Sequence, residues 1–165
     1  MRKVSAILLF LSFCLASCSS KQDNIVIFKE FKSQEWGRFE YLSGSFDVNK
    51  APQKNDIVME IMVNDDYPNI YESHQNDCPL IFNLTIKNPE GMGGRSKNYK
   101  FMLKDKDGNW KADKKDGYYT FRLPIISEMS FSEKGTYSFK LENKYPKDPL
   151  YGIKSITLKC TKSSK

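Results

Sequence analysis

The chain has one histidine, His74, within the polar run Tyr71-Glu72-Ser73-His74-Gln75-Asn76-Asp77-Cys78. A Ser-His-Asp or Cys-His device would have to be assembled on that residue. Nothing beside it resembles a nucleophile elbow, and an exposed loop histidine explains the same residues. Zinc held by His74, Asp77 and Cys78 would lack a second cluster of ligands elsewhere in the chain. Asp105-Lys106-Asp107-Gly108-Asn109 has the alternating acids of a calcium loop. Starting the loop at Asp105 puts Trp110 where the sharp-turn glycine belongs, and starting it two residues earlier puts Leu103 and Lys114 at the terminal ligand positions. An Asp-Gly hairpin turn between Leu103 and Trp110 fits better. The acid pairs Asp65 with Asp66, and Asp113 with Asp116, have the chemistry of glycoside hydrolysis but read more simply as solvated turns. No catalytic residue, cofactor or metal site is expected.

Cys18 carries a different chemistry. Arg2 and Lys3 precede an apolar run from Val4 to Leu15 and then Ala16 and Ser17, the layout of a signal peptide. The run is short of the roughly 20 residues that cross a bilayer as a helix. Leu15-Ala16-Ser17-Cys18 resembles a bacterial lipobox, in which the cysteine is acylated and the peptide bond before it is cut. Residues 1–17 would leave as the signal, and residues 18–24 would form the lipidated terminus and tether. Several acyl chains hold a protein at a membrane far more firmly than one. The tether Ser19 to Asn24 reaches at most about 20 Å, so the body is expected beside an extracytoplasmic membrane surface.

Removing Arg2 and Lys3 lowers the formal charge from +6 by two, to +4. The remaining lysines, among them Lys97, Lys100, Lys104, Lys106, Lys111, Lys114 and Lys115, alternate with core-type residues and acids. That pattern suits solvated strand edges, not nucleic acid. Cys14 would go with the signal, leaving Cys78 and Cys160. In an oxidising compartment these could pair and close a loop of about 80 residues, worth roughly 4 kcal/mol; they could equally pack as thiols.

The body must be built from strands, because the apolar residues recur with period two. The rows are Ile57, Met59, Ile61 and Val63; Leu80, Phe82, Leu84 and Ile86; Tyr99, Phe101 and Leu103; Tyr119, Phe121 and Leu123; Tyr137, Phe139 and Leu141; and Ile156, Leu158 and Cys160. Ile25 to Phe31 and Phe39 to Val48 add two less regular strands, with Gly44 marking a bulge or bend. Turn residues separate them at Asn88 to Gly94, Asp105 to Asn109, Glu133 to Gly135 and Tyr145 to Pro149. A short helical turn fits within Tyr67 to Asn76, and no longer helix is expected. About eight strands without helical crossovers predict an all-β fold, a single antiparallel β-sandwich of jelly-roll type over residues 25–165. Trp36, Trp110, Tyr118 and Tyr151 could form a sugar-stacking platform on such a body, although most aromatics must fill the core.

One ordered set of segments carries a family resemblance. Trp36 comes before a strand, followed by Asp66-Tyr67-Pro68-Asn69, a Pro-Gly turn near Pro89 and Asp107-Gly108-Asn109-Trp110. Phe131-Ser132-Glu133-Lys134-Gly135-Thr136-Tyr137-Ser138-Phe139 and Leu150-Tyr151-Gly152-Ile153-Lys154-Ser155-Ile156 complete it. Behind a lipobox, this order resembles the gliding-motility lipoprotein family GldH. Membership implies a non-enzymatic accessory lipoprotein of a motility and secretion apparatus at the outer membrane, working through contacts with other envelope proteins. A surface glycan-binding lipoprotein is the alternative expectation.

Overall fold

A computed structural model describes residues 24–69 and 78–163 of the chain. Cys18, the signal segment and His74 lie outside the described residues. Within them the chain forms eleven strands and no helix: β1 (Asn24–Glu30), β2 (Glu35–Trp36), β3 (Leu42–Val48), β4 (Gln53–Val63), β5 (Pro79–Lys87), β6 (Gly94–Met102), β7 (Lys114–Lys115), β8 (Tyr118–Phe131), β9 (Gly135–Asn143), β10 (Leu150–Tyr151) and β11 (Ile153–Lys162). Three of these, β2, β7 and β10, are two residues long. The eight long strands are the eight expected from the apolar rows.

Every pairing is antiparallel. One sheet runs β1-β11-β4-β8-β7, the other β3-β9-β5-β6, and β10 pairs β2 as a small clasp. Counted among the long strands alone, the sheets read first-eighth-third-sixth and second-seventh-fourth-fifth, which is the jelly-roll arrangement. The predicted rows point inward as period two requires. Ile57, Met59, Ile61 and Val63 from one sheet, and Leu80, Phe82, Leu84 and Ile86 from the other, are buried in one core with Phe139, Leu141, Ile156 and Leu158.

Both outer edges resist further pairing. β6 is the last strand of its sheet and exposes Arg95, Lys97 and Lys100, as the lysine spacing suggested. β7 covers only the start of β8, and Pro124 interrupts the uncovered length of that strand. On the opposite flank β1 and β3 approach each other so closely that a Cβ built on Gly44 would lie 1.8 Å from the Val26 carbonyl oxygen. Gly44 therefore marks a close approach of two backbones. The expected bulge there is absent, since β3 keeps an unbroken register with β9 through Gly44–Phe139. The irregularities fall in β1 between Ile25 and Ile27, in β11 between Ile153 and Ser155 where it pairs β4, and where β4 meets β8 between Asn55 and Val58.

The sandwich has two distinct ends. Asn24, the 48–53 connection, the 131–135 turn and Ser163 lie at the end where the tether would leave. The far end gathers the segments around Trp36, Tyr67, Trp110 and Tyr151. There Tyr151 N–H donates to the Pro68 carbonyl at 3.0 Å, Asn64 N–H donates to the Gly152 carbonyl at 2.9 Å, and the Tyr67 hydroxyl donates to the Pro79 carbonyl at 2.9 Å.

Candidate functional site

Most residues with candidate chemistry turn out to be structural. Asp105 Oδ1 accepts the backbone N–H groups of Asp107 and Asn109, both at 2.9 Å. These bonds, first that from Asn109, hold the carboxyl below the ordinary range. The carboxylate is thus spent on its own hairpin turn, with Gly108 at φ 84°. Asp65 is bound by Lys114 Nζ and by the Tyr119 hydroxyl at 3.1 Å. The lysine contact in particular lowers its pKa. Asp66 instead receives Asn64 Nδ2 at 3.4 Å, so Asp65 and Asp66 serve different networks.

The expected aromatic platform does not assemble around Trp36. That side chain is fully buried, pairs through its backbone with Leu150, and donates Nε1–H to the Glu40 carbonyl at 2.8 Å. Trp110 is half-buried and stacked on Tyr119 with ring centroids 4.5 Å apart, while Lys104 Nζ lies 4.8 Å from its own centroid. Tyr118 accepts a bond from Gln34 Nε2 at 3.3 Å. Tyr151 is half-buried in the clasp.

Cys78 and Cys160 are thiols, not half-cystines. Cys78 Sγ donates to the Tyr67 carbonyl at 3.8 Å, and the Tyr67 backbone packs on Gly152 at the far end. Cys160 sits eight residues farther along β11, about 25 Å away at strand rise, opposite Asn24. A disulfide needs Cα atoms within about 7 Å, so the open pairing resolves against a bridge. Burial pushes the Cys160 thiol up to about 12, helped by the charge of Asp56.

Two surface features were not anticipated from sequence. The first is the seam between β1 and β3. Phe28 is 63% exposed, Phe39 77% and Tyr41 53%. Phe28 and Tyr41 line one groove of about 230 Å³, bridged by Lys29 Nζ and Glu40 Oε1 at 2.6 Å. The second is a cleft of about 590 Å³ at the Asn24 end of the sandwich, lined by Asp47, Asn49, Gln53, Lys54, Asn55 and Glu128 among others. Thr136 Oγ1 fixes Asp47 at 2.6 Å, and Lys54 Nζ lies 3.7 Å from Glu128 Oε1. Asn55 was detectable in principle, as a carboxamide continuing the row Ile57, Met59, Ile61, Val63. Nothing in the sequence marked the seam, because alternate aromatics in a strand usually face inward.

Among the described residues no group of three or more histidine, cysteine or acidic side chains could hold a metal, and no helix is long and apolar enough to cross a membrane. No curated protein matches the chain at a significant level. Solved structures with some likeness include a family 35 carbohydrate-binding module from Clostridium thermocellum, at 14% identity and TM-score 0.37, covering 82% of this chain and 87% of that one. A GH115 4-O-methyl-alpha-glucuronidase shows 11% identity and TM-score 0.37, with 84% of this chain covered and 16% of that one. Neither likeness bears on what this chain binds. The family model described as GldH lipoprotein matches residues 25–160, the whole jelly roll from β1 to Cys160 in β11. The chain belongs to the GldH lipoprotein family.

Proposed function

We propose that this protein is a lipid-anchored accessory of a gliding-motility or secretion apparatus at the outer membrane, fastened through Cys18 and acting by protein contact, without catalysis. Family membership supports a lipoprotein of this type. The observation that carries the mode of action is the β1–β3 seam. Soluble surfaces normally scatter single apolar side chains, whereas here three exposed aromatics lie along β1 and the turn leading into β3. Aromatic side chains bring large contact area at small entropic cost, and for that reason they concentrate at interfaces.

Anchoring is tested by Cys18→Ser, which should abolish incorporation of labelled palmitate and release the protein from membranes; retained acylation refutes it. Contact is tested by a photo-crosslinking amino acid at position 28 or 41 in intact cells, with position 106 as control. The expected outcome is the same envelope protein captured from 28 and 41 but not from 106. Phe28→Ser with Tyr41→Ser should also impair gliding or secretion at normal protein levels. Normal gliding and secretion in a deletion strain, with no seam-specific crosslink, would overturn the proposal.

A further inference from the structure

Among the described residues five large apolar side chains are exposed, and three of them, Phe28, Phe39 and Tyr41, make the seam. The other two, Ile25 at 59% and Met92 at 89%, both lie at the Asn24 end of the sandwich. Strand pairing puts Met92 there, at the tip of the turn between β5 and β6. Lys87 stands opposite Gly94 on one side and Ser138 on the other, and Gly135 stands opposite Val48. A Cβ built on Gly135 would lie 2.8 Å from the Pro89 ring, so this turn abuts the 131–135 turn. Residues 49–52 in turn share a cleft with Asn24.

The turn closes without its apolar tip. Asn88 N–H donates to the Gly93 carbonyl at 2.9 Å, the Asn88 carbonyl accepts Gly91 N–H at 2.9 Å, and Asn88 Oδ1 accepts Gly93 N–H at 3.1 Å. Gly91, at φ 73°, supplies the left-handed step. The Met92 side chain takes no part in this closure and is held out between two glycines, leaving its apolar surface in water. Six exposed basic residues, Lys50, Lys54, Lys87, Arg95, Lys134 and Lys162, lie around this end against three exposed acids, Asp47, Glu90 and Glu133.

We infer that the Asn24 end is a lipid-facing surface: the body stands end-on, with Met92 entering the headgroup layer and the surrounding basic residues meeting anionic headgroups. The inference rests on the acylation of Cys18 proposed above. Five residues, Ser19 to Asp23, separate Cys18 from Asn24 and hold the two at most about 20 Å apart. β4 alone spans eleven residues, about 35 Å. So short an anchor brings this end to the bilayer but lets the body lean to any side, and surface chemistry then selects the contact. The unbranched thioether of Met92 adapts to an irregular headgroup layer. Lysine stems reach toward lipid while their ammonium groups stay in water, and each basic residue near an anionic surface adds attraction. This posture leaves Phe39, at the opposite end of the seam, away from lipid and open to a partner protein.

Depth-sensitive fluorescence on the purified lipoprotein tests the inference. Met92→Cys and Phe39→Cys each take a polarity-sensitive fluorophore on the new thiol, Cys78 and Cys160 being buried. The labelled proteins are reconstituted into vesicles of phosphatidylethanolamine and phosphatidylglycerol doped with nitroxide lipid. Phe39 is also apolar and exposed, so the comparison reads position and not hydrophobicity. Emission from position 92 should shift to the blue and be quenched, and emission from position 39 should do neither. Adding Lys50→Glu with Lys134→Glu should weaken the contact at least ~10-fold and remove most of the quenching at 92, with melting unchanged. Palmitate labelling of the same preparations reports the anchor separately. Acylated protein quenched no more at 92 than at 39 overturns the inference and leaves the anchor standing, as does quenching indifferent to the charge reversal. Protein without acyl label overturns both.

Discussion

Replacing Gly44 with alanine tests the closeness of the two sheets along the β1–β3 flank. The Cβ would meet the Val26 carbonyl oxygen at 1.8 Å, the Val26 carbonyl carbon at 2.8 Å and Ile27 Cγ1 at 2.8 Å, whereas ordinary contact begins at 3.4 Å. A backbone oxygen cannot rotate out of the way as a side-chain tip can, so β1 and β3 must separate. Val26, Ile27, Leu42 and Phe46, all buried beside this approach, would lose packing as they do. Overpacking typically costs 1–3 kcal/mol, and a clash with backbone belongs at about 3 kcal/mol. For a domain of this size that lowers the melting temperature by roughly 10 °C. Because Gly44 does not have a positive φ, the penalty is purely steric. Gly37 has nothing within 4 Å of a built Cβ and supplies the control, expected within about 0.5 kcal/mol of the parent. Paired thermal melts decide the matter: Gly44→Ala melting within about 2 °C of Gly37→Ala would show that the flank is not closed as described.

Two further outcomes follow from buried polar groups. Tyr67→Phe removes the bond to the Pro79 carbonyl from a fully buried ring; a loss of about 1–2 kcal/mol in urea unfolding is expected, and a change under about 0.3 kcal/mol would mean the hydroxyl is not buried against that carbonyl. Cys160 ionises near 9.0 when unfolded and at about 12 when folded. Below pH 9 it is protonated in both states; above pH 9 the unfolded chain loses the proton first, so stability falls by up to ~1.4 kcal/mol per pH unit toward pH 12. Urea midpoints from pH 8 to 10.5 should therefore drop more steeply for the parent than for Cys160→Ala, and parallel slopes would contradict the burial of this thiol.

The strands and their inward faces were readable because period two is a property of the pleat itself. Rows such as Ile57 to Val63 and Leu80 to Ile86 name their own buried side, and Lys97 and Lys100 announced an edge. Tertiary placement was not readable in the same way. A lone glycine in a strand is consistent with a bulge or with close approach, and only the position of Val26 separates these for Gly44. Trp36 offered no sign that Leu150, more than a hundred residues later, would pair with it and enclose its ring. The Cys78–Cys160 pairing depended on the direction of β11, which carries Cys160 away from the end where Cys78 lies. Asn55 was visible as a polar member of an apolar row, but the bulge at Glu128 beside it depended on the register of β8 against β4.

The pairing of β1 with β11 has a mechanical consequence. β1 runs away from Asn24 with its rungs stretching from Asn24–Cys160 to Glu30–Ser155. Tension entering at Asn24 while the rest of the body is held back would pull along this strand and not across it. The rungs would then be loaded together in shear instead of opening one after another like a zipper, so the first strand of the body is also one well arranged to bear a pull from its N-terminal side.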